Sequence, residues 1–341
     1  MILPDSTATL ECLCGILKLA KGRDKMTDTF MENGKELHPD MKHLIDARTA
    51  AGPATTIEEQ RRAWTKYSAA MSEPNPADMK VDDRKLACSH GYVLVRVYRP
   101  ASASTAAPCI IYSHGGGFMK GDLDSSDNFA WGLSQETGSV VISVDYRLTP
   151  EHPFPAAFND VYGVICYVAE NPLKFGINAN YIAVCGDSAG GNLSAAACLK
   201  ARDENGPKII AQSLIYPGTG LDQTSGSYEE NANAPGLTKA ATEKYRDMYM
   251  TRPEDHENPY ARPVIAENHT GLPPAWVHTA QHDPIRDDGK IYADKLRADG
   301  NDVTYRCAKL MIHGFLRARA LGPGGRAEFK AVIDWLNEKL T

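Results

Sequence analysis

Tyr181-Ile-Ala-Val-Cys-Gly-Asp-Ser-Ala-Gly-Gly-Asn-Leu-Ser-Ala-Ala-Ala-Cys-Leu199 changes its periodicity halfway along. Tyr181 to Cys185 is short, apolar and partly β-branched, which reads as a strand; Ser194 to Leu199 is alanine-rich and reads as a helix. The change falls at Ser188, inside Gly186-Asp-Ser-Ala-Gly190. On so sharp a turn, side chains two residues to either side would collide, so the flanking glycines suit a nucleophile exposed at the carboxyl end of a central strand. The Ala189 amide then points toward the start of the following helix, where free N–H groups and the positive dipole end accumulate. Alone, Gly-x-Ser-x-Gly also fits a phosphate loop or a plain turn, so the reading depends on partners elsewhere in the chain.

Outward from this stretch, strands and helices alternate. Tyr92 to Tyr98, Cys109 to Ser113, Ser139 to Asp145, Ile209 to Tyr216, Ala275 to Ala280 and Asp302 to Cys307 read as strands, with Tyr92 opening the β region. Helical spacing runs through Asn128 to Gln135, Pro155 to Glu170, Asp287 to Ala298 and Ala327 to Leu340. That alternation predicts an α/β fold with a mostly parallel sheet covered on both faces. Two segments stand outside it. Leu37 to Met71 is helical, with Pro39 suited to the first turn of one helix and Thr55-Thr-Ile-Glu-Glu to the start of the next. Residues 217 to 263 are polar and rich in Gly and Asn, with one helix from Thr238 to Met250, and read as an insertion. Both segments are lid candidates. Trp64 and Tyr67 read first as packing residues of the N-terminal helices and second as pocket walls.

The division expected is an N-terminal extension over 1–36, cap helices over 37–80, and a catalytic domain over 81–341 carrying the insertion at about 217–263. Within the extension, Leu10 to Leu19 is apolar enough for a helix and is followed by basic residues, and Met26 and Met31 are alternative starts. A chain of 341 residues exceeds one usual core, which favours a large domain with a lid. A net charge of −6 lacks the basic footprint of a nucleic-acid binder, and no run is apolar for long enough to span a bilayer. The eight cysteines have no Cys-x-x-Cys pair and sit mostly in apolar contexts, as free thiols do in a reducing compartment. With no signal-peptide pattern at the N-terminus, a cytoplasmic location is expected.

Three further pieces bear on chemistry. His114-Gly-Gly-Gly117 follows a strand, and glycines there let backbone amides approach a bound carbonyl, so Gly116 and Gly117 are candidates to join Ala189 in an oxyanion hole. His114 itself reads as a structural residue. Asp283 is the first carboxylate past the Ala275 to Ala280 strand, where a triad acid belongs; Asp287 and Asp288 read as first-turn helix residues. His313 lies in a loop between the last strand and the last helix and completes the order Ser188, Asp283, His313. His278 and His282 are rival bases, but strand alternation turns them into the packing.

Together, His114-Gly-Gly-Gly, Tyr146-Arg-Leu-Thr-Pro-Glu151, Gly186-Asp-Ser-Ala-Gly-Gly191, Asp283-Pro-Ile-Arg-Asp287 and His313-Gly-Phe315 resemble the hormone-sensitive-lipase-like carboxylesterases, the microbial branch in particular, from about Leu37 to the end. The resemblance implies an eight-stranded α/β-hydrolase sheet with a helical cap and hydrolysis of short- to medium-chain acyl esters. In it, Ser188 is nucleophile, His313 base and Asp283 its orienting acid, while Tyr146, Arg147 and Glu151 belong to the scaffold. The chain departs from the family pattern at Leu310, where a glycine is common three residues before the histidine. Phe118, Leu221 and Phe315 are candidate pocket walls. The implied partner is a small-molecule ester, with no cofactor, no metal and no nucleic acid, and a homodimer is left open. A lactone, carbamate or amide would use the same apparatus, and a non-catalytic receptor on this fold is the reading from another class; the presence of His313 favours turnover.

Overall fold

The computed structural model describes residues 29–224 and 226–341. Eight stretches form one sheet: β3 (Lys80–Cys88), β4 (Gly91–Arg99), β5 (Ala107–Ser113), β6 (Val140–Asp145), β7 (Ile177–Asp187), β8 (Ala211–Ile215), β9 (Ala275–His282) and β10 (Val303–Ile312). Their order across the sheet is β3-β4-β6-β5-β7-β8-β9-β10. β3, β4 and β6 pair antiparallel and every other pair is parallel. The mostly parallel eight-stranded α/β-hydrolase sheet is therefore present, and β7, which leads into Ser188, lies inside it.

The inner strands are buried on both faces because helices cover both. On one side, helices Ala156–Glu170, Ala189–Asp203 and Arg286–Ala298 bring Val161, Ile165, Leu193 and Leu296 into one apolar cluster. On the other, helices Leu123–Thr137 and Pro323–Lys339 bring Phe129, Leu133, Phe329 and Leu336 into a second.

Sequence and structure differ at the amino-terminal side. The β region opens at β3, before Tyr92. β3 is an edge strand in which Asp82, Asp83 and Lys85 are exposed and half-buried Arg84 lies over the Phe175 ring, and such charge protects an edge while hiding the apolar signal of a strand. Ahead of it, β1 (Phe30–Glu32) and β2 (Lys35–Leu37) form a hairpin through Asn33 and Gly34, both at positive φ (47° and 73°). The Asn-Gly pair is a strong hairpin signal inside the stretch read as an N-terminal extension, a reading that includes no strand there. β2 runs across the expected boundary at residue 36. Pro39 precedes the helix Met41–Ala51 rather than sitting in its first turn, whereas helix Ile57–Ala69 starts as read, with Thr56 and Glu59 in a reciprocal capping box. The helix read at Leu10 to Leu19 lies outside the described residues, as do Cys12 and Cys14. The six described cysteines are free. No helix among the described residues is long and apolar enough to cross a membrane.

A half-buried cluster of His278, Arg306 and Glu328 ties β9 and β10 to the last helix. Glu328 accepts from Arg306 at 2.5 and 2.9 Å and bonds His278 Nε2 at 2.9 Å. Burial alone would raise the Glu328 carboxyl, but the bonds from His278 and Arg306 prevail and hold it at about 2. A carboxyl depressed on folding contributes stability above its unfolded value and loses it as pH falls through the folded one. Glu328→Gln is expected to cost about 1–2 kcal/mol near pH 7, the exposed Arg306 end of the cluster being screened by solvent, with the gap to wild type closing as pH falls from about 4.5 toward 2. Urea unfolding of both proteins across that range measures it; an unchanging gap would contradict the assignment.

Candidate active site

Ser188 occupies the strained turn its glycines anticipate, at φ 57° and ψ −116°. A Cβ on Gly186 would stand 2.1 Å from the Gly190 carbonyl oxygen, and one on Gly190 would stand 1.8 Å from that of Ser113. Those distances forbid side chains and let the turn close. The Ser188 amide donates to Ile215 at the end of β8 at 2.8 Å, which fixes the turn against the neighbouring strand.

His313 Nε2 lies 2.9 Å from Ser188 Oγ, and His313 Nδ1 lies 2.7 Å from Asp283 Oδ2. Asp283 is fully buried, and its other oxygen accepts from the Ile285 amide at 3.0 Å. The loop that carries His313 follows an irregularity in β10, whose register with β9 shifts between Ala308 and Ile312. Leu310 sits in that irregularity at φ 59°. Its amide donates to Gln281 Oε1 and its carbonyl accepts from the His38 amide, each at 2.9 Å. The bend for which glycine is usual is thus made by a leucine whose two backbone groups are both anchored.

The rival residues are engaged elsewhere. His278 bonds Glu328, and His282 Nε2 bonds the Glu36 carbonyl at 3.0 Å. Asp287 accepts from the Ser227 amide at 2.9 Å. Asp288 accepts from the amides of Gly220 and Leu221 and from the Tyr228 hydroxyl, at 3.0, 3.1 and 2.8 Å. It thereby roots the start of the insertion on the catalytic side. Burial pushes the Asp288 carboxyl up to about 7 against those three donors. Asn192, four residues after Ser188, donates to the carbonyls of Gly218 and Ala261, near the two ends of the insertion.

The glycine loop is held from beneath by a residue to which sequence reading gave no role. Asp187 Oδ1 accepts from the Gly115 amide and from the Tyr112 hydroxyl, each at 2.7 Å. The residue before the nucleophile therefore sets the loop opposite it. Tyr146 donates to the His114 carbonyl at 2.6 Å and stacks on its ring, and Arg61 clamps the loop from outside through the Met119 carbonyl, the Thr149 carbonyl and Glu151. Arg147 pairs with Asp160. The scaffold reading of Tyr146, Arg147 and Glu151 agrees with these contacts. Gly116 and Gly117 have φ of 141° and 63°, and their amides meet no acceptor among the described residues. Ala189 opens its helix, where an amide has no acceptor in a preceding turn.

Ser188, His313, Gly116, Gly117 and Ala189 all border one cavity of about 320 Å³. Phe118, stacked on Tyr249 at 3.7 Å, and Leu221 form part of its wall. Phe315 does not. It is fully buried behind the site, 5.3 Å from the Tyr216 ring and 4.8 Å from that of His278, because the turn at Gly314 sends it into the core. Trp64 also lines the cavity, while Tyr67 is buried behind it.

Residues 110–317 match a family described by its alpha/beta hydrolase fold. The carboxylesterase NlhH of Mycobacterium tuberculosis is 35% identical over 296 residues, covering 84% of this chain and 91% of that protein. An ethyl acetate hydrolase of Pseudomonas putida is 31% identical over 318 residues, covering 89% and 99%. Among solved structures, an esterase of Pyrobaculum calidifontis superposes with a TM-score of 0.81 at 34% identity, covering 89% of this chain and 98% of that one.

Proposed function

The chain belongs to the hormone-sensitive-lipase-like carboxylesterases of the α/β-hydrolase fold and hydrolyses carboxylic esters, and from that premise we propose that it cleaves short- to medium-chain acyl esters through Ser188, His313 and Asp283. The observation that carries this reading is the continuous relay from Asp283 through His313 to Ser188 Oγ, opening on the same cavity as the unengaged amides of Gly116 and Gly117.

His313 Nε2 takes the Ser188 proton as Oγ attacks the ester carbonyl carbon. The carbonyl π electrons move to oxygen, and the amides of Gly116, Gly117 and Ala189 stabilise that oxyanion, each donor contributing about 2.7–4 kcal/mol. Buried Asp283 fixes the imidazole tautomer and steadies the imidazolium. Collapse of the tetrahedral species expels the alkoxide, which takes the proton from His313 and leaves as the alcohol, with the acyl group on Ser188. Water, deprotonated by His313, then repeats the sequence, releasing the carboxylic acid and restoring Ser188. The N-terminal helices and the 217–263 insertion act as the cap, and the free thiols among the described residues support a reducing, cytoplasmic setting.

A p-nitrophenyl ester series from acetate through butyrate and octanoate to hexadecanoate tests the substrate class. A cavity of about 320 Å³ predicts that kcat/KM peaks at or below the octanoate. A maximum at hexadecanoate would overturn the chain-length reading. Faster turnover of matched lactones, carbamates or amides would move the enzyme to those substrates.

A further inference from the structure

We propose that the cavity is built for esters carrying a second, anionic group, a carboxylate above all, held against a cationic wall of Arg48, Lys120 and Arg317. The proposal rests on the esterase reading and deepens it.

The wall is organised on aromatic rings. Trp64 and Tyr67 stand 5.5 Å apart. The Arg317 guanidinium lies 4.4 Å from the centre of the Trp64 ring, Lys120 Nζ lies 4.9 Å from the same ring, and the Arg48 guanidinium lies 4.8 Å from the Tyr67 ring. All three cations border the cavity that contains Ser188. Aromatic faces fix the position of a cation without cancelling its charge.

Pairing separates this wall from the rest of the cavity. On the insertion side, Arg262 is neutralised by Asp222 at 2.6 Å and Arg246 by Asp247 at 2.8 Å. On this wall, Arg317 donates to the Ser68 hydroxyl and the Ser125 carbonyl, and the one carboxylate it meets among the described residues is Asp187, at 4.0 Å, which already receives the Gly115 amide and the Tyr112 hydroxyl. Lys120 and Arg48 meet no carboxylate within 4.0 Å among the described residues. Lys120 donates to the Tyr245 hydroxyl at 2.8 Å, which leaves ammonium hydrogens for a ligand, and Arg48 donates to the Gly236 carbonyl. Cations with no close carboxylate, or with one already engaged by other donors, lower the energy of an anion in a partly enclosed space, and charge-assisted hydrogen bonds are the strong ones. A purely neutral ester would leave that charge unused.

The test uses matched ester pairs on the full chain, followed by titration of released acid. Monoethyl adipate against ethyl hexanoate places the carboxylate on the acyl side; 4-acetoxybutanoate against butyl acetate places it on the alcohol side. In at least one pair, wild type is expected to favour the anionic member by about tenfold in kcat/KM, chiefly through KM because the contact lies away from the reacting atoms. The preference should shrink as salt is added, and fall toward one in both Lys120→Met and Arg48→Met. Taking the ratio within each protein cancels differences in folding or triad geometry, and two variants guard against one that does not fold. Preference for the neutral member in both pairs, or a ratio unchanged in the variants, would overturn the proposal while leaving the esterase reading intact. Failure to hydrolyse any of the four, neutral members included, would remove the esterase reading and this proposal with it.

Discussion

Ser188→Ala is expected to lower kcat for p-nitrophenyl butyrate by about 10⁶-fold, because removing one member of a triad that acts as a unit costs nearly as much as removing all three. The substitution deletes only Oγ. That atom's hydrogen bond is to His313, while the backbone contact that fixes the turn, from the Ser188 amide to Ile215, does not involve the side chain. The fold should therefore survive, with a thermal midpoint close to that of wild type, and the alanine protein should still bind ester. Steady-state rates beside a melting curve measure both; turnover retained within a hundredfold would show that another group attacks.

Asp283→Asn should lower kcat by about 10⁴-fold. The amide is nearly the same size as the carboxylate, so the buried site accommodates it, but its NH₂ group facing His313 Nδ1 favours the tautomer that protonates Nε2. That tautomer has no lone pair for the Ser188 proton. Asp287→Asn is the control, since Asp287 serves the Ser227 amide and does not touch His313; its rate should stay within about tenfold of wild type. Equal losses in the two variants would mean that the acid acts through the shape of the loop rather than through His313.

The inner strands were legible because burial on both faces leaves nearly continuous apolar runs, as in Cys109-Ile-Ile-Tyr and Val140-Val-Ile. The serine turn was legible because its geometry demands glycine at positions 186 and 190. Edge strand β3 was not, since its solvent face is charged, and the hairpin before Leu37 turns on a two-residue Asn-Gly signal that periodicity does not weigh. At the site, chain order singles out Ser188, Asp283 and His313, but it carries no information on which side chains meet from distant segments. Asp187 bracing Gly115, Asn192 tying the ends of the insertion, and Arg48, Lys120 and Arg317 converging on Trp64 and Tyr67 are products of tertiary packing. Phe315 is the converse case. Adjacency to His313 suggested a pocket wall, and the left-handed turn at Gly314 carries it away from the cavity instead.

The central claim is that acyl transfer passes through Ser188 Oγ. A p-nitrophenyl alkylphosphonate tests it most directly, because attack on phosphorus releases p-nitrophenol and leaves a stable phosphonate ester on the nucleophile. Peptide mass spectrometry of the inactivated protein should locate one adduct, on Ser188, with one equivalent of p-nitrophenol released as activity is lost. Inactivation with Ser188 unmodified, or with the adduct on a different residue, would contradict the account.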